Sequence, residues 1–366
     1  MNAAYGVTVR YNMMSHKVET VVPGVSGEGQ VENASLGELE SVCSLNKFPV
    51  TRLQPLLLPI AQKNRYHPVR DWITSLTWDG VSRISALAST LVTPSDFDER
   101  FKEVLVRRWV ISAVAAVMAQ VYRGRGVLTL QGKQGIGKTK WFTSLVPSLD
   151  WIIAGQVVDP RIKDTLEQAT MHWVVELGEL EGLLRKADIA MLKAFLTQEV
   201  DTIRYPYLRR SEKYPRRTVY AATVNEAAFL TDTTGSSRFW VIPVVAVKPM
   251  VLPLEQVWAE ARVLYENGEN WWLSPDEEAL LSASNENYQE LEEFEEQVLD
   301  WYDPLQVDRP LRMTTTDVLV SLEISNPTKA QLNKMGKVLH KHFPMKLTSG
   351  RKTFALPKPE LKLDRR

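Results

Sequence analysis

Cysteine is almost absent. One residue, Cys43, is the whole thiol content of 366 residues. A lone thiol closes no internal disulfide and builds no cysteine metal cluster. The composition therefore points to a reducing cytoplasm rather than to a disulfide-stapled secreted protein. Long apolar runs are missing as well. The longest, Trp109 to Tyr122, holds 14 uncharged residues, whereas a membrane span needs about 20. It reads as a buried helix, and no membrane partner is expected. No basic-then-apolar leader opens the chain, so secretion is not expected either. Net charge is also missing, because 44 basic and 44 acidic residues cancel. That excludes a uniformly basic coat for nucleic acid but leaves local patches open.

What is present is an ordinary globular mixture, 44% apolar and 24% charged, long enough for two or three domains. Charge is segregated along the chain. Arg204 to Arg217 holds six basic residues and one Glu. Glu286 to Asp303 holds eight acids and no base, and Lys329 to Lys352 seven bases, two histidines and no acid. Residues 1–46, with Gly24, Gly27 and Gly29 among polar neighbours, predict a poorly ordered tail. Residues 47–123 predict a helical domain, with Val69, Trp72, Ile73 and Leu76 at helix spacing after Pro68. A long helix follows from Phe101 to Tyr122, ended by Gly124.

From 124 to 275 the texture is α/β. Val127–Leu130, Trp173–Val175, Thr218–Thr223 and Phe239–Val245 read as buried strands alternating with helices, the pattern of a covered parallel sheet. An acidic helical linker is expected over 276–304. Residues 305–358 then predict a small winged-helix-like domain: a helix from Thr328 to His342, then a basic hairpin turning at Gly350. No metal site is expected at His340 and His342.

The strongest motif is Gly132-Lys133-Gln134-Gly135-Ile136-Gly137-Lys138-Thr139. It matches the phosphate-binding loop, glycine, four residues, then Gly-Lys-Thr. A strand precedes it and a helical segment follows, and its glycines let backbone N–H groups converge on phosphate oxygens. Lys138 would neutralise the β- and γ-phosphates of ATP, and Thr139 would ligate Mg²⁺. Hydrolysis needs an acid at a neighbouring strand tip. Glu176 ends such a strand and is assigned to the metal side, with Glu179 as candidate base. The order of those two roles stays open, and Glu179 could instead cap the next helix. Asn225 ends the third strand, where it could orient the attacking water or sense the γ-phosphate, or simply cap a helix. Gly235 to Trp240 delivers Arg238 from a flexible loop, as an arginine finger acting in trans would require.

Loop lysine, acidic strand, basic hairpin, strand-end asparagine and loop arginine, in that order, resemble the superfamily 3 helicases, which are AAA+ ATPases. The match is closer still to the virulence-associated protein E family of phages and integrated elements. It is carried by His67-Pro68-Val69-Arg70-Asp71-Trp72, Trp78-Asp79-Gly80-Val81, the phosphate loop, Val175 to Leu180, Asp201-Thr202-Ile203-Arg204 and Gly235 to Trp240, over roughly residues 50–275. Ser237 departs from the pattern, where a second arginine would stand beside Arg238.

The resemblance implies an AAA+ core working as a homo-oligomeric ring, most often a hexamer, and a DNA-dependent ATPase that replicates a phage or related element. It also places the stretch from Lys193 to Arg217 on a channel-facing hairpin. Lys193, Arg209, Arg210 and Lys213 are the candidate contacts to one DNA strand, with aromatics available for stacking. Arg216 and Arg217 follow in the same basic run, and Arg204 could instead pair with Asp201. The C-terminal domain could bind duplex at an origin or dock a host replication protein. Two other readings remain: a DNA-binding ATPase switch that recruits a host helicase, and a monomeric P-loop kinase of a small molecule.

Overall fold

The computed structural model describes residues 5–26, 30–156, 162, 167–168, 170–178, 191–192, 194–203, 211–225, 238–302, 310–348 and 351–357, with backbone alone at 286–293, 296, 330 and 348. The chain divides into two compact units. One comprises Met1–Asn225 with Ser237–Glu277, the other Glu226–Ser236 with Glu278–Arg366.

The first unit opens with β1 (Thr8–Asn12) and β2 (Lys17–Val21), then α1 (Val31–Leu45), α2 (Leu53–Lys63) and β3 (Arg65–Tyr66). β1 pairs antiparallel with β2 and parallel with β3. Val7, Val9 and Tyr11 alternate inward and meet Leu39 and Cys43 of α1 and Leu53, Leu57 and Ala61 of α2. The tail expected over 1–46 is therefore a folded β-hairpin and helix. Its apolar residues are few but fall at strand period two and helix period four, which is enough to close a small core.

Next come α3 (Pro68–Ser75), α4 (Ile84–Ala88), β4 (Leu91–Val92) and α5 (Glu99–Met118). Asp98 caps α5, accepting from the Arg100 and Phe101 amides at 2.8 and 3.4 Å. From Trp109 to Val117 every residue of α5 is buried. Such a helix has no solvent face and must lie inside the unit. Two tryptophans tie it to the sheet: Trp109 Nε1 donates to the Tyr220 carbonyl and Trp173 Nε1 to that of Ala113, both at 2.8 Å. The helices expected as a separate domain over 47–123 thus belong to the same compact unit as the sheet. α5 also stops at Met118, short of Gly124, because Ala119 turns extended and the Tyr122 hydroxyl bonds back to Ser112.

The core elements are β5 (Val127–Gln131), α6 (Lys138–Thr143), β6 (Ile152–Gln156), β7 (Val174–Leu177), β8 (Val200–Ile203), β9 (Glu212–Pro215), β10 (Val219–Val224), β11 (Phe239–Pro243), β12 (Ala246–Val247) and α7 (Leu254–Glu266). Five strands form one parallel sheet in the order β11-β5-β10-β7-β6. The inner strands β5, β10 and β7, and the edge strand β11, are buried at nearly every position, which explains their largely apolar sequences. The edge strand β6, with two glycine or alanine positions in five residues, was not legible as a strand.

α8 (Pro275–Trp301) leads into β13 (Leu311–Met313), α9 (Thr315–Ser321), α10 (Lys329–His342), β14 (Met345–Thr348) and β15 (Arg351–Leu356). In the second unit the three strands are antiparallel, in the order β13-β15-β14. Phe294, Val298 and Tyr302 pack with Val318, Leu319, Met335, Val338, Leu339, Phe354 and Leu356. The acidic stretch is thus no mere linker: spacing of four residues puts Phe294, Val298 and Tyr302 on one face, and that face completes the core. Gly350 lies outside the described residues.

Candidate nucleotide site at the end of the sheet

The glycine-rich loop leaves β5 and is held tightly against β11. Gly132 has φ 154°, and a Cβ there would sit 2.1 Å from the Val244 carbonyl oxygen, so no other residue fits that approach. Gly135 and Gly137 also have positive φ. Gln134 and Gly135 are exposed, and Ile136 and Gly137 half-buried. Lys138 is only 6% exposed. Its ammonium donates to the Gly132 carbonyl, to that of Lys133 at 2.8 Å, and to Asn225 Oδ1 at 3.2 Å. Asn225 reaches it because β10 lies directly beside β5.

On the other side of β10 stands β7 with Glu176, whose side chain is 0% exposed. Its Oε1 accepts from the Thr223 hydroxyl at 2.6 Å and its Oε2 from the Gly155 amide at 2.6 Å. Thr223 Oγ1 is also 3.4 Å from Thr139 Oγ1. The only Thr223 hydroxyl proton is committed to the carboxylate, so Thr139 is the donor in that contact. Thr139 is exposed at the loop and keeps its oxygen lone pairs for a ligand. Glu176 thus reaches the loop through Thr223. The register makes this possible, because Ala221 is level with both Leu128 and Glu176.

Two contacts of this geometry have little or no signal in the sequence. Thr223 coincides, with Asn225, with the sensor position that the resemblance implies, but only a lone hydroxyl near the end of an apolar strand points to its bond with Glu176. Gly155 gave no signal. It is brought to Glu176 by close approach of β6 to β7, where a Cβ on Gly178 would meet Gly155 Cα at 2.9 Å.

Arg238 lies elsewhere. It precedes β11, whose Phe239 is level with Val127 and Pro243 with Gln131. At about 3.3 Å per residue, that puts it on the order of 16 Å from the loop of its own chain. There it lines a hollow with Tyr122, Arg125, Leu196 and Tyr220. Burial pushes the Tyr220 phenol above its ordinary pKa, and among the described residues its hydroxyl has no hydrogen-bond partner.

β8 and β9 form the expected antiparallel hairpin. Lys213 is exposed on β9. Arg216 is not available to nucleic acid: it is 3% exposed, paired with Asp201 at 2.9 Å through Nε, and stacked 4.3 Å over the Phe195 ring. Asp201 pairs with Arg216 because antiparallel pairing returns the end of β9 beside the start of β8; its expected pairing with Arg204 involves a residue outside the described ones. Glu179, Lys193, Arg204, Arg209 and Arg210 lie outside the described residues. Among the described residues, no helix is long and apolar enough to cross a membrane.

The parallel sheet, the loop at the end of β5 and the lysine and threonine that follow it define a P-loop-like α/β protein. Residues 73–290 match the model of the virulence-associated protein E-like domain, and the chain belongs to that family. Among solved structures, it is similar to an A-form apo structure of the NrS-1 C-terminal region, at 12% identity and a TM-score of 0.44 over 96% of both chains. A second structure of that region, spanning its residues 305–718, aligns at 13% identity and a TM-score of 0.45 over 96% of this chain and 97% of the other. No curated protein matches.

Proposed function

We propose that this protein is an ATP-driven motor on DNA, a ring-forming AAA+ ATPase of the superfamily 3 helicase type that serves replication of a phage or related mobile element. One observation carries the reading. β10 lies between the loop strand and the acidic strand, so that Lys138 meets Asn225 while Thr139 connects through Thr223 to Glu176. ATP and Mg²⁺ fit these donors. Lys138, now held by carbonyls and an amide oxygen, is placed to turn to phosphate oxygens, with the loop amides beside it. Thr139 offers its lone pairs to the metal, and Mg²⁺ would neutralise developing phosphate charge. Glu176 and Thr223 hold Thr139 in that orientation. Asn225 stands where a γ-phosphate or its attacking water would be sensed, and Glu179 is the candidate base.

Arg238 lies too far along the sheet to serve its own loop. Acting on a neighbour's nucleotide, it makes a ring, most simply a hexamer, a condition for activity. Lys213, with Lys193, Arg209 and Arg210 of the same hairpin region, would follow one DNA strand through the channel. In the C-terminal unit Lys337 and Lys341 of α10 and Arg351 and Lys352 of β15 are exposed. They suit a winged-helix contact to duplex.

ATP hydrolysis measured with and without single-stranded DNA tests the reading. DNA should stimulate the wild type, and Lys138→Ala should be inactive. Arg238→Ala should fail alone and be partly rescued by mixing with Lys138→Ala, because mixed rings contain sites with both residues intact. Hydrolysis indifferent to DNA, together with a normal Arg238→Ala, would overturn it. Strand displacement then separates a helicase from an ATPase switch.

A further inference from the structure

In the second unit the two opposite charge blocks of the sequence meet. Glu286 to Asp303 holds eight acids and no base, and Lys329 to Lys352 holds seven bases and no acid. Phe294, Val298 and Tyr302 of the first block share a core with Met335, Val338 and Leu339 of the second. That packing brings α8 to the last turn of α10. There Glu295 Oε1 accepts from Lys341 Nζ at 2.5 Å and from His342 Nε2 at 2.6 Å. Partial burial alone would raise the Glu295 carboxyl, but the hydrogen bonds from Lys341 and His342 outweigh it and hold the group below its ordinary pKa. It is therefore ionised at neutral pH. An ionised carboxylate only accepts, so His342 Nε2 carries a proton in this contact.

The pair is not what docks α8. Val298 and Tyr302 are buried by apolar packing, and an ion pair whose lysine side chain is 60% exposed adds little to stability. What Glu295 changes is the charge that α10 presents. Lys329, Asn333, Lys337 and Lys341 are exposed at four-residue spacing, which places them in one row along the helix. Such a row suits the phosphates of a duplex. Glu295 neutralises its C-terminal end. One carboxylate oxygen holding two N–H donors also makes the contact that a phosphate oxygen would make. The carboxylate and a backbone phosphate therefore compete for the same two donors. Because the pair is weak, a phosphate can win.

We propose that Glu295 is a built-in competitor of duplex DNA: it covers Lys341 and His342 at the end of α10, and a backbone phosphate must displace it before that end of the helix engages a duplex. The proposal rests on the duplex reading of this unit given above, and the test separates the two. Full-length chain, selectively ¹³C-labelled at its five histidines, is titrated with a short mixed-sequence duplex. Fluorescence anisotropy of the labelled duplex follows binding in parallel. The His342 signal should move toward its position in free Glu295→Gln, with His172 of the first unit as internal control.

Glu295→Gln should bind the duplex about two- to fivefold more tightly, the worth of one such surface pair. Adding Lys341→Gln should remove that gain. Glu278→Gln, which deletes an equal charge near the start of α8, should bind like the wild type. α10 should stay folded in these variants, because cations in its last turn are favoured by the helix itself. If the duplex binds while His342 stays unmoved, Glu295 keeps its partners; the proposal is refuted and the duplex reading stands. The wild-type titration gives this result without any variant. Equal gains for Glu278→Gln and Glu295→Gln would reduce the effect to net charge and refute it too. If neither the wild type nor Glu295→Gln binds duplex, both readings of this unit fall. If only a poly-glutamate peptide moves His342, the end of α10 is a protein contact and the proposal is wrong.

Discussion

Removing the Thr223 hydroxyl isolates the link between the acidic strand and the loop. Thr223→Val keeps the shape of the side chain, so no cavity opens. What disappears is the 2.6 Å donor to Glu176 Oε1. The carboxylate is 0% exposed, so water cannot replace that donor, and among the described residues only the Gly155 amide remains, on Oε2. A hydrogen bond to a charged group contributes about 1.5–3 kcal/mol, and burial without solvent favours the upper part of that range. We expect a loss of about 2–3 kcal/mol. At roughly 2–4 °C per kcal/mol for a domain of this size, the melting midpoint should fall by more than about 4 °C. Tryptophan fluorescence during urea denaturation reads the same quantity. Thr223→Ser retains the hydroxyl and should lose less than about 1 kcal/mol. If Thr223→Val unfolds at the wild-type midpoint, or if Thr223→Ser loses as much, the carboxylate does not depend on this hydroxyl and the connection from Glu176 to Thr139 is not functional.

The remaining predictions concern other contacts. Gly178→Ala puts a Cβ 2.9 Å from Gly155 Cα; backbone must shift, and calorimetry should show a loss of about 1–3 kcal/mol, as for other overpacked sites. Asp201→Ala leaves Arg216 buried and unpaired and should cost about 3–5 kcal/mol in chemical denaturation, whereas replacing both residues by apolar ones of similar volume should cost much less. His67 stays neutral in the fold down to about pH 3 by burial but takes a proton in the unfolded chain below about 6.5. Its contribution is therefore intact above pH 6.5 and is lost as pH falls from there toward 3, about 2 kcal/mol by pH 5. His67→Asn keeps a helix cap and should flatten that acid limb; an unchanged limb would show that other groups cause it.

The path of the glycine-rich loop was legible because its structure is local. Gly132 to Thr139 encode a backbone path within eight residues, and glycine is needed there whatever else folds. The inner strands were legible for a related reason: burial on both faces demands unbroken apolar runs. Arg238 could be picked out as the arginine before such a strand, but only the parallel register of β11 with β5 put it at the far end of the sheet from its own loop. The folded hairpin and helix before residue 46 escaped because their core is assembled from α1 and α2 across more than 50 residues of chain, from Val7 to Ala61.

Partnership was decided by the tertiary structure alone. Asp201 meets Arg216, 15 residues away, through antiparallel pairing, which nothing local announces. Thr223 reads as an ordinary strand residue until β10 is inserted between β5 and β7. Hydrogen bonds to Glu176 and Thr139, 47 and 84 residues away, then follow from strand order, which no local pattern specifies. Sequence determines what a short segment can adopt, because φ preferences and apolar period act over a few residues. Which side chains meet is set by crossover connections and register, and those are properties of the whole packed sheet.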